Sequence, residues 1–219
     1  ELKTWGKWYI DTTRVDGFRL DAVKHIRSEF FPEWLATLRE KTEKKLFSVG
    51  EYWSNNIDTI NKFIEKTEGT MSLFDVPLHY NFYRASISNG EFDMSQIFEG
   101  TLVGTNPEKA VTFVDNHDTE PGQALESWIP DWFKGHAYAL TLLRKDGLPC
   151  VFYGDYYGVE DKSVTPKNEM LHKLLKVRKY FAYGEQVDYF NDESVIGFCR
   201  RGDYDHPESG VAVVMTDSR

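Results

Sequence analysis

The stretch that decides the fold reads VDGFRLDAVKH and covers residues 15–25. Its beginning alternates as a strand does, with Phe18 and Leu20 on one side and Gly17, Arg19 and Asp21 on the other. The apolar side would pack against helices, whereas the other side brings a guanidinium close to a carboxylate. Arg19 would keep Asp21 ionised, and an ionised, fixed carboxylate at a strand end is a candidate nucleophile.

A purely structural interpretation of the same stretch is also open. In that interpretation Asp21 is the N-cap of a helix that follows the strand, and Arg19 forms a surface ion pair with it. The stretch alone does not separate the two interpretations, so the rest of the chain has to decide.

Beyond this stretch, short apolar runs alternate with helical patterns. Four further strands are predicted at 46–51, 72–77, 110–115 and 148–153. Helices are predicted at 2–13, 28–45, 56–69, 132–145 and 165–183, and the region 78–100 is expected to be helical or irregular. Asn56 is a predicted N-cap, and Pro166 is predicted in the first turn of its helix. This alternation predicts a parallel sheet of right-handed βα units.

The pattern changes near Val187. Two short alternating runs, at 195–200 and 211–215, are separated by a polar turn and predict the beginning of an all-β segment. We therefore expect two domains, an α/β domain over 1–186 and the start of a β domain over 187–219.

Composition excludes several classes of partner. The net charge of -9 would repel a phosphate backbone, so we expect no nucleic-acid partner. No apolar run reaches the roughly 18 residues of a membrane span, so we expect no membrane partner. Cys150 and Cys199 are expected to be buried thiols rather than metal ligands. Because the chain starts at Glu1 inside a predicted helix and without Met, we expect its natural N-terminus to lie upstream.

Three predicted strands lead into acids, namely Asp21, Glu51 and Asp118. In a parallel barrel the C-terminal strand ends share one face, where active sites are built. Two carboxylates about 5 to 5.5 Å apart are the apparatus of a retaining glycosidase. Asp21 suits the nucleophile, and Glu51 suits the general acid because crowding by the other acids would favour its protonated form. Asp118 would stabilise the transition state, with His117 as a hydroxyl donor.

Three motifs carry a family resemblance: GFRLDAVKH at 17–25, GEYW at 50–53 and FVDNHD at 113–118. In order and spacing they resemble characteristic regions of the α-amylase family, glycoside hydrolase family 13. FDVPLHY at 74–80 and VFYGDYYG at 151–158 extend the resemblance to the whole chain, which is similar to liquefying bacterial α-amylases and their cytoplasmic relatives. It implies the same roles for the three acids and an α-glucan, such as starch or glycogen, as substrate.

The resemblance also implies further contacts. Glucan contacts are expected from Arg19, Lys24, His25, Trp53 and His117. The backbone carbonyl of His25 is expected to ligate a structural calcium ion, Ca2+, whose other ligands lie outside this sequence. The alternative is that Lys24 and His25 lie at a solvated helix start and that Trp53 is a core ring.

The family's first region is absent, and with it the first barrel strands. The resemblance therefore predicts an α/β fold, a partial (β/α)8 TIM barrel made of strands four to eight, followed by the start of a C-terminal β-sandwich domain. We expect the chain by itself to be inactive, and its open sheet edges to favour self-association. Alternatives are another α-glucan enzyme of the family (an α-glucosidase, maltogenic amylase or transglycosylase) or a non-catalytic glucan-binding or assembly module.

Overall fold

The computed structural model describes residues 1–162 and 164–217, which form two sheets. The first sheet has five parallel strands in the order of the sequence. These strands are β1 (Gly17–Leu20), β2 (Phe47–Gly50), β3 (Ser72–Phe74), β4 (Ala110–Phe113) and β5 (Leu148–Cys150). Each β-strand is followed by helical structure, so the predicted half-barrel of βα units is confirmed.

Helices flank and connect these strands. They are α1 (Leu2–Thr13), α2 (Phe30–Thr42), α3 (Ile57–Lys66), α4 (Val76–Ile87), α5 (Leu102–Thr105), α6 (Asp131–Leu142), α7 (Tyr153–Tyr157) and α8 (Asn168–Tyr180). Single 3-10 turns lie at Val23–His25, Met94–Gln96, Pro107–Lys109 and Glu160–Lys162. Among the described residues, no helix is both long and apolar enough to cross a membrane.

The second sheet is antiparallel, with β6 (Gln186–Tyr189), β7 (Val195–Arg200) and β8 (Val211–Thr216) in that order. The all-β segment predicted after Val187 is therefore confirmed as a sheet. A two-pronged ion pair ties it to the barrel, because Arg144 donates to Asp188 Oδ1 at 2.6 Å and to Oδ2 at 2.9 Å.

The first βα unit shows how sequence pattern becomes packing. Phe18 and Leu20 of β1 pack against the core while Arg19 is exposed, as the alternation predicts. The ring of Phe18 lies 5.2 Å from that of Trp34 on α2. Gly6 lets α1 approach α2 closely, since a Cβ there would lie 2.9 Å from a methyl of Leu38. The helix pair thus covers the apolar side of the strand.

One alternative interpretation is not observed, and one local prediction was wrong. Asp21 does not cap a helix, because the chain turns through a left-handed Ala22 (φ 47°) into the single 3-10 turn. Pro166 does not lie in the first turn of α8, which begins at Asn168. The amide of Lys167 donates to the carbonyl of Asp155 at 2.6 Å, and this contact holds the segment against α7 until the helix starts.

Both outer strands of the parallel sheet are open. β1 pairs only with β2, and β5 pairs only with β4, within the part of the chain that the structure describes. The outer face of α1 exposes three large apolar side chains, those of Leu2, Trp5 and Trp8. The half-barrel therefore ends in unsatisfied strand edges and an apolar helix face.

Candidate active site

Asp21 stands directly after β1 with its side chain 76% exposed. Its carboxylate pairs with the guanidinium of Arg19, two positions back on the same face of the strand. A strand projects alternate side chains to one face, so this geometry follows from the sequence spacing. The exposed carboxylate has one cation beside it and room for a ligand.

Glu51 follows β2, the neighbouring strand, and is buried. Its amide donates to the carbonyl of Leu20 at 2.8 Å, and its carbonyl accepts from the amide of Val23 at 3.0 Å. The side chain bends toward the same turn, where Oε2 accepts from the amide of Ala22 at 2.9 Å. The carboxylate of Glu51 is thus attached to the residue that follows Asp21.

Asp118 lies in the loop after β4, five positions beyond the end of that strand. The strand is shorter than predicted, so Asp118 projects from a turn and not from the strand itself. Its side chain is 40% exposed, and His117 Nε2 lies 3.3 Å from its Oδ2. Among the hydrogen bonds and ion pairs of the described residues, none joins Asp118 to Asp21 or Glu51.

The other predicted glucan contacts fall into two groups. Lys24, His25 and His117 are exposed, and the ammonium of Lys24 lies 3.2 Å from the carbonyl of Trp53. Trp53 is only 9% exposed and packs in an aromatic cluster that includes Phe113. Its indole N–H donates to the hydroxyl of Tyr80 at 3.1 Å. The core-ring alternative therefore describes its packing here.

The part of the chain that the structure describes contains no cluster of acidic side chains that would complete a calcium site. Over residues 1–162 and 164–217, no group of three or more His, Cys, Asp or Glu side chains could hold a metal ion. Calcium takes about six to eight oxygen ligands, and the backbone carbonyl of His25 supplies at most one. The residues described here do not fit a calcium ion by themselves.

Sequence reasoning missed a buried ionic cluster beneath the candidate site. Lys134 on α6 has a fully buried ammonium that lies 2.6 Å from Asp115 Oδ2 and 2.7 Å from Asp155 Oδ1. Burial raises the pKa of Asp115 to about 7, against the lowering effect of Lys134. The available signal was a lysine between Phe133 and Ala137 in the apolar stripe of a predicted helix.

Two further buried polar residues were missed. The carboxylate of Asp75 accepts from three backbone amides, those of Leu78, Leu102 and Val103. Burial nevertheless raises its pKa to about 6. The Asp-Val-Pro start of α4 was the signal for this cap. The ring of His79 bonds to the carbonyl of Val114, and burial lowers its pKa to about 4.

Comparison with known proteins identifies the family. The α-amylase catalytic domain matches residues 1–193. The chain is 55% identical over 217 residues to an α-amylase of Geobacillus stearothermophilus, covering 99% of this chain and 40% of that protein. It is 49% identical to a glucan 1,4-α-maltohexaosidase of Bacillus sp. (strain 707), covering 99% of this chain and 42% of that protein.

Two further relatives agree. The cytoplasmic α-amylase of Escherichia coli (strain K12) is 44% identical, covering 99% of this chain and 46% of that protein. An α-amylase structure from Anoxybacillus superposes with a TM-score of 0.71 at 20% identity, covering 99% of this chain and 51% of that one. The chain thus spans less than half the length of these curated relatives. On the family match and these identities together, the chain belongs to the α-amylase family, glycoside hydrolase family 13.

Proposed function

We propose that this chain carries the three catalytic acids of an α-amylase that hydrolyses internal α-1,4-glucosidic bonds of starch or glycogen with retention. Asp21 is the nucleophile, Glu51 the general acid and base, and Asp118 the stabiliser of the transition state. The single observation that supports this proposal best is the bond from the Ala22 amide to Glu51, which brings one buried and one exposed carboxylate to the same turn.

The first half of the reaction uses the difference between these two acids. Asp21 attacks the anomeric carbon from an exposed position, where its carboxylate is paired with the Arg19 guanidinium. Glu51 gives its proton to the departing glycosidic oxygen, and the sugar becomes covalently bound to Asp21. The burial of Glu51 limits competition from water for that proton.

In the second half Glu51 takes a proton from water, and that water displaces the sugar from Asp21 with overall retention. Asp118 would lie against the positive charge that develops on the sugar in both halves. Lys24, His25 and His117 are exposed and would bond sugar hydroxyls, while Trp53 would offer the edge of its ring.

Two structural expectations accompany this proposal. We place a domain boundary near residues 186 and 187, where the parallel barrel gives way to the antiparallel sheet. A calcium ion would need ligands beyond the described residues in addition to the carbonyl of His25, so no step of the reaction is assigned to it.

Starch clearing by purified protein tests the proposal. We expect the 219-residue chain alone to be inactive, because a barrel of five strands supplies only part of a cleft. A hybrid in which this chain replaces the matching segment of the Geobacillus relative should clear starch, and Glu51→Gln should abolish that activity. Clearing that survives Glu51→Gln would refute the assigned roles, and clearing by the unmodified chain alone would contradict the expected inactivity.

A second candidate is an enzyme that releases products of one size. The 49% identity to a maltohexaosidase favours it. Product analysis of the hybrid on starch and on maltose would distinguish random internal cleavage from release of a single oligosaccharide, and hydrolysis of maltose would indicate an α-glucosidase. Calorimetry with maltoheptaose that shows binding without turnover would instead support a glucan-binding module.

We also propose that the isolated chain self-associates. Its support is the pair of open strand edges and the exposed apolar face of α1. Sedimentation at increasing concentration should show a rising average mass, and a stable monomer at high concentration would contradict this.

A further inference from the structure

Asp115 lies on the same loop as Asp118 but points into the core, where its side chain is fully buried. We propose that Asp115 is a positioning residue of the candidate active site, which through Thr119 fixes the turn that carries His117 and Asp118 and is itself fixed by Lys134. This inference rests on the proposed function only for the role of Asp118.

The turn closes on the hydroxyl of Thr119, which is fully buried. That hydroxyl donates to Asp115 Oδ1 at 2.7 Å and accepts from the amide of Asn116 at 3.0 Å. The side-chain oxygen of Asn116 in turn accepts from the amides of Asp118 at 2.9 Å and of Thr119 at 3.0 Å. The main chain at Asp118 is therefore connected to the carboxylate of Asp115 by three hydrogen bonds that pass through Thr119 and Asn116.

The other oxygen of Asp115 is anchored in the core. It accepts from Lys134 Nζ at 2.6 Å and from the amide of Ile129 at 3.2 Å. Lys134 also bonds to Asp155 on α7, which accepts from the hydroxyl of Tyr138 at 2.6 Å. Asp115 is thereby tied to α6 and α7 as well as to its own loop.

The loop is also held from the side of β3 and α4. The amide of Ser127 donates to the carbonyl of Thr119 at 3.1 Å, and the hydroxyl of Ser127 lies 2.8 Å from the ring of His79. Because a carbonyl only accepts, the His79 Nδ1 that faces Val114 carries the proton. In a neutral His79 the Nε2 atom is an acceptor for the hydroxyl of Ser127, whose single proton is shared with the carbonyl of Leu125 at 2.9 Å.

Such a cluster is a costly way to fill a core. Two carboxylates share one lysine, and all three side chains are fully buried, so apolar side chains of equal volume would serve stability as well. The ionic arrangement instead fixes the orientation of Asp115, because its two oxygens accept from donors on different parts of the fold. The contact with Thr119 is the one that connects Asp115 to the turn of Asp118.

Two substitutions at Thr119 separate shape from hydrogen bonding. Thr119→Val keeps the shape and removes the hydroxyl, whereas Thr119→Ser keeps the hydroxyl. Thr141→Val is the matched control, because the Thr141 hydroxyl is equally buried but bonds only within α6, to the carbonyl of Ala137.

Hydrogen exchange of the 219-residue chain is the first readout. In Thr119→Val the amides of Asp118 and Ser127 should exchange at least about tenfold faster, while Thr119→Ser and Thr141→Val stay within about threefold of the parent chain. Unchanged protection at Asp118 in Thr119→Val would overturn the inference, as would an equal loss of protection in Thr119→Ser.

The second readout is the kinetics of the full-length hybrid. Thr119→Val should lower kcat about tenfold or more with KM within about threefold, since a displaced Asp118 affects the transition state more than binding. Thr119→Ser should restore kcat, and Thr141→Val should leave it unchanged. Normal kcat in Thr119→Val refutes the positioning role even where exchange is faster. A hybrid without Glu51-dependent activity counts against the proposed function, and the exchange result then decides the inference.

Discussion

Asp115 and Asp118 lie three positions apart on the loop that follows β4, yet their side chains have opposite environments. The side chain of Asp118 is 40% exposed and pairs with His117, its one ion-pair partner among the described residues. That of Asp115 is 0% exposed and accepts from three donors. The same contrast separates Asp21, 76% exposed, from Asp155, 0% exposed. Acids with free lone pairs remain available to a ligand, and acids whose oxygens are fully bonded can only build the site.

Removing the buried cation, Lys134, should have the largest effect on the contrast between buried and exposed acids. Lys134→Met should lower the free energy of unfolding by about 3–5 kcal/mol, because it leaves two carboxylates buried without their partner. Urea denaturation measures the loss. Lys3→Met removes the partner of Glu33 on the surface and should leave the free energy of unfolding nearly unchanged. Similar losses in the two variants would show that the buried cluster is not energetically distinct.

A second test uses pH at the base of the same loop. Burial lowers the pKa of His79 to about 4, so between about pH 4 and 6.5 the unfolded state binds a proton that the folded state does not. This contribution to stability is present above that window and is lost as pH falls through it. Asp75 and Asp115, whose pKa values are raised by burial, act in the opposite direction.

The contribution of His79 is isolated by subtraction. The stability advantage of the parent chain over His79→Gln should shrink by about 2–3 kcal/mol between pH 7 and pH 4. Chemical denaturation at several pH values measures both proteins in the same buffers. A constant difference between them would mean that the buried ring takes up a proton in the folded state.

Breaking the half-buried ion pair between Arg144 and Asp188 should cost a free energy of unfolding between those of the buried and exposed pairs. Arg144 and Asp188 have side chains 10% and 39% exposed and form a two-pronged contact. Arg144→Met should cost about 1–2 kcal/mol, because part of the desolvation is already relieved by water. In urea denaturation, Lys134→Met should lose more free energy of unfolding than Arg144→Met. The reverse order would show that burial does not determine how much an ion pair contributes to stability.

At the exposed end of the series, Arg19→Met should change the free energy of unfolding by less than about 1 kcal/mol. In the full-length hybrid the same substitution should nevertheless reduce starch hydrolysis strongly, because Asp21 loses the guanidinium that orients its carboxylate. A variant with full activity would show that Arg19 has no part in the site.

The sequence alone was sufficient to predict the repeating strand and helix units of the first sheet. Alternation in residues 15–21 predicted which side chains of β1 enter the core, the bounds of α1 agree with the structure, and Asn56 caps α3 as predicted. These features depend on local periodicity and on capping chemistry, which the chain displays one segment at a time.

The buried ionic cluster was not predictable in the same way. Lysine and aspartate are almost always solvent-exposed, so the position of Lys134 in an apolar helical stripe does not by itself identify a buried ion pair. The pair becomes evident only when α6 is placed against α7. The partners of Lys134, Asp115 and Asp155, lie 19 and 21 positions away, and the pairing exists only in the assembled fold. The predicted helix start at Pro166 was wrong for a related reason. The amide of Lys167 donates to the carbonyl of Asp155, and α8 begins only after this contact.

The attachment of Glu51 to the segment after β1 has a consequence for engineering. Its amide, carbonyl and side chain each bond to a main-chain group of Leu20, Val23 or Ala22. The spacing of Asp21 and Glu51 is therefore set by main-chain hydrogen bonds. Side-chain substitutions elsewhere in the cleft would change substrate specificity without changing this spacing. Conversely, a proline or an inserted residue in this turn would disable both acids together.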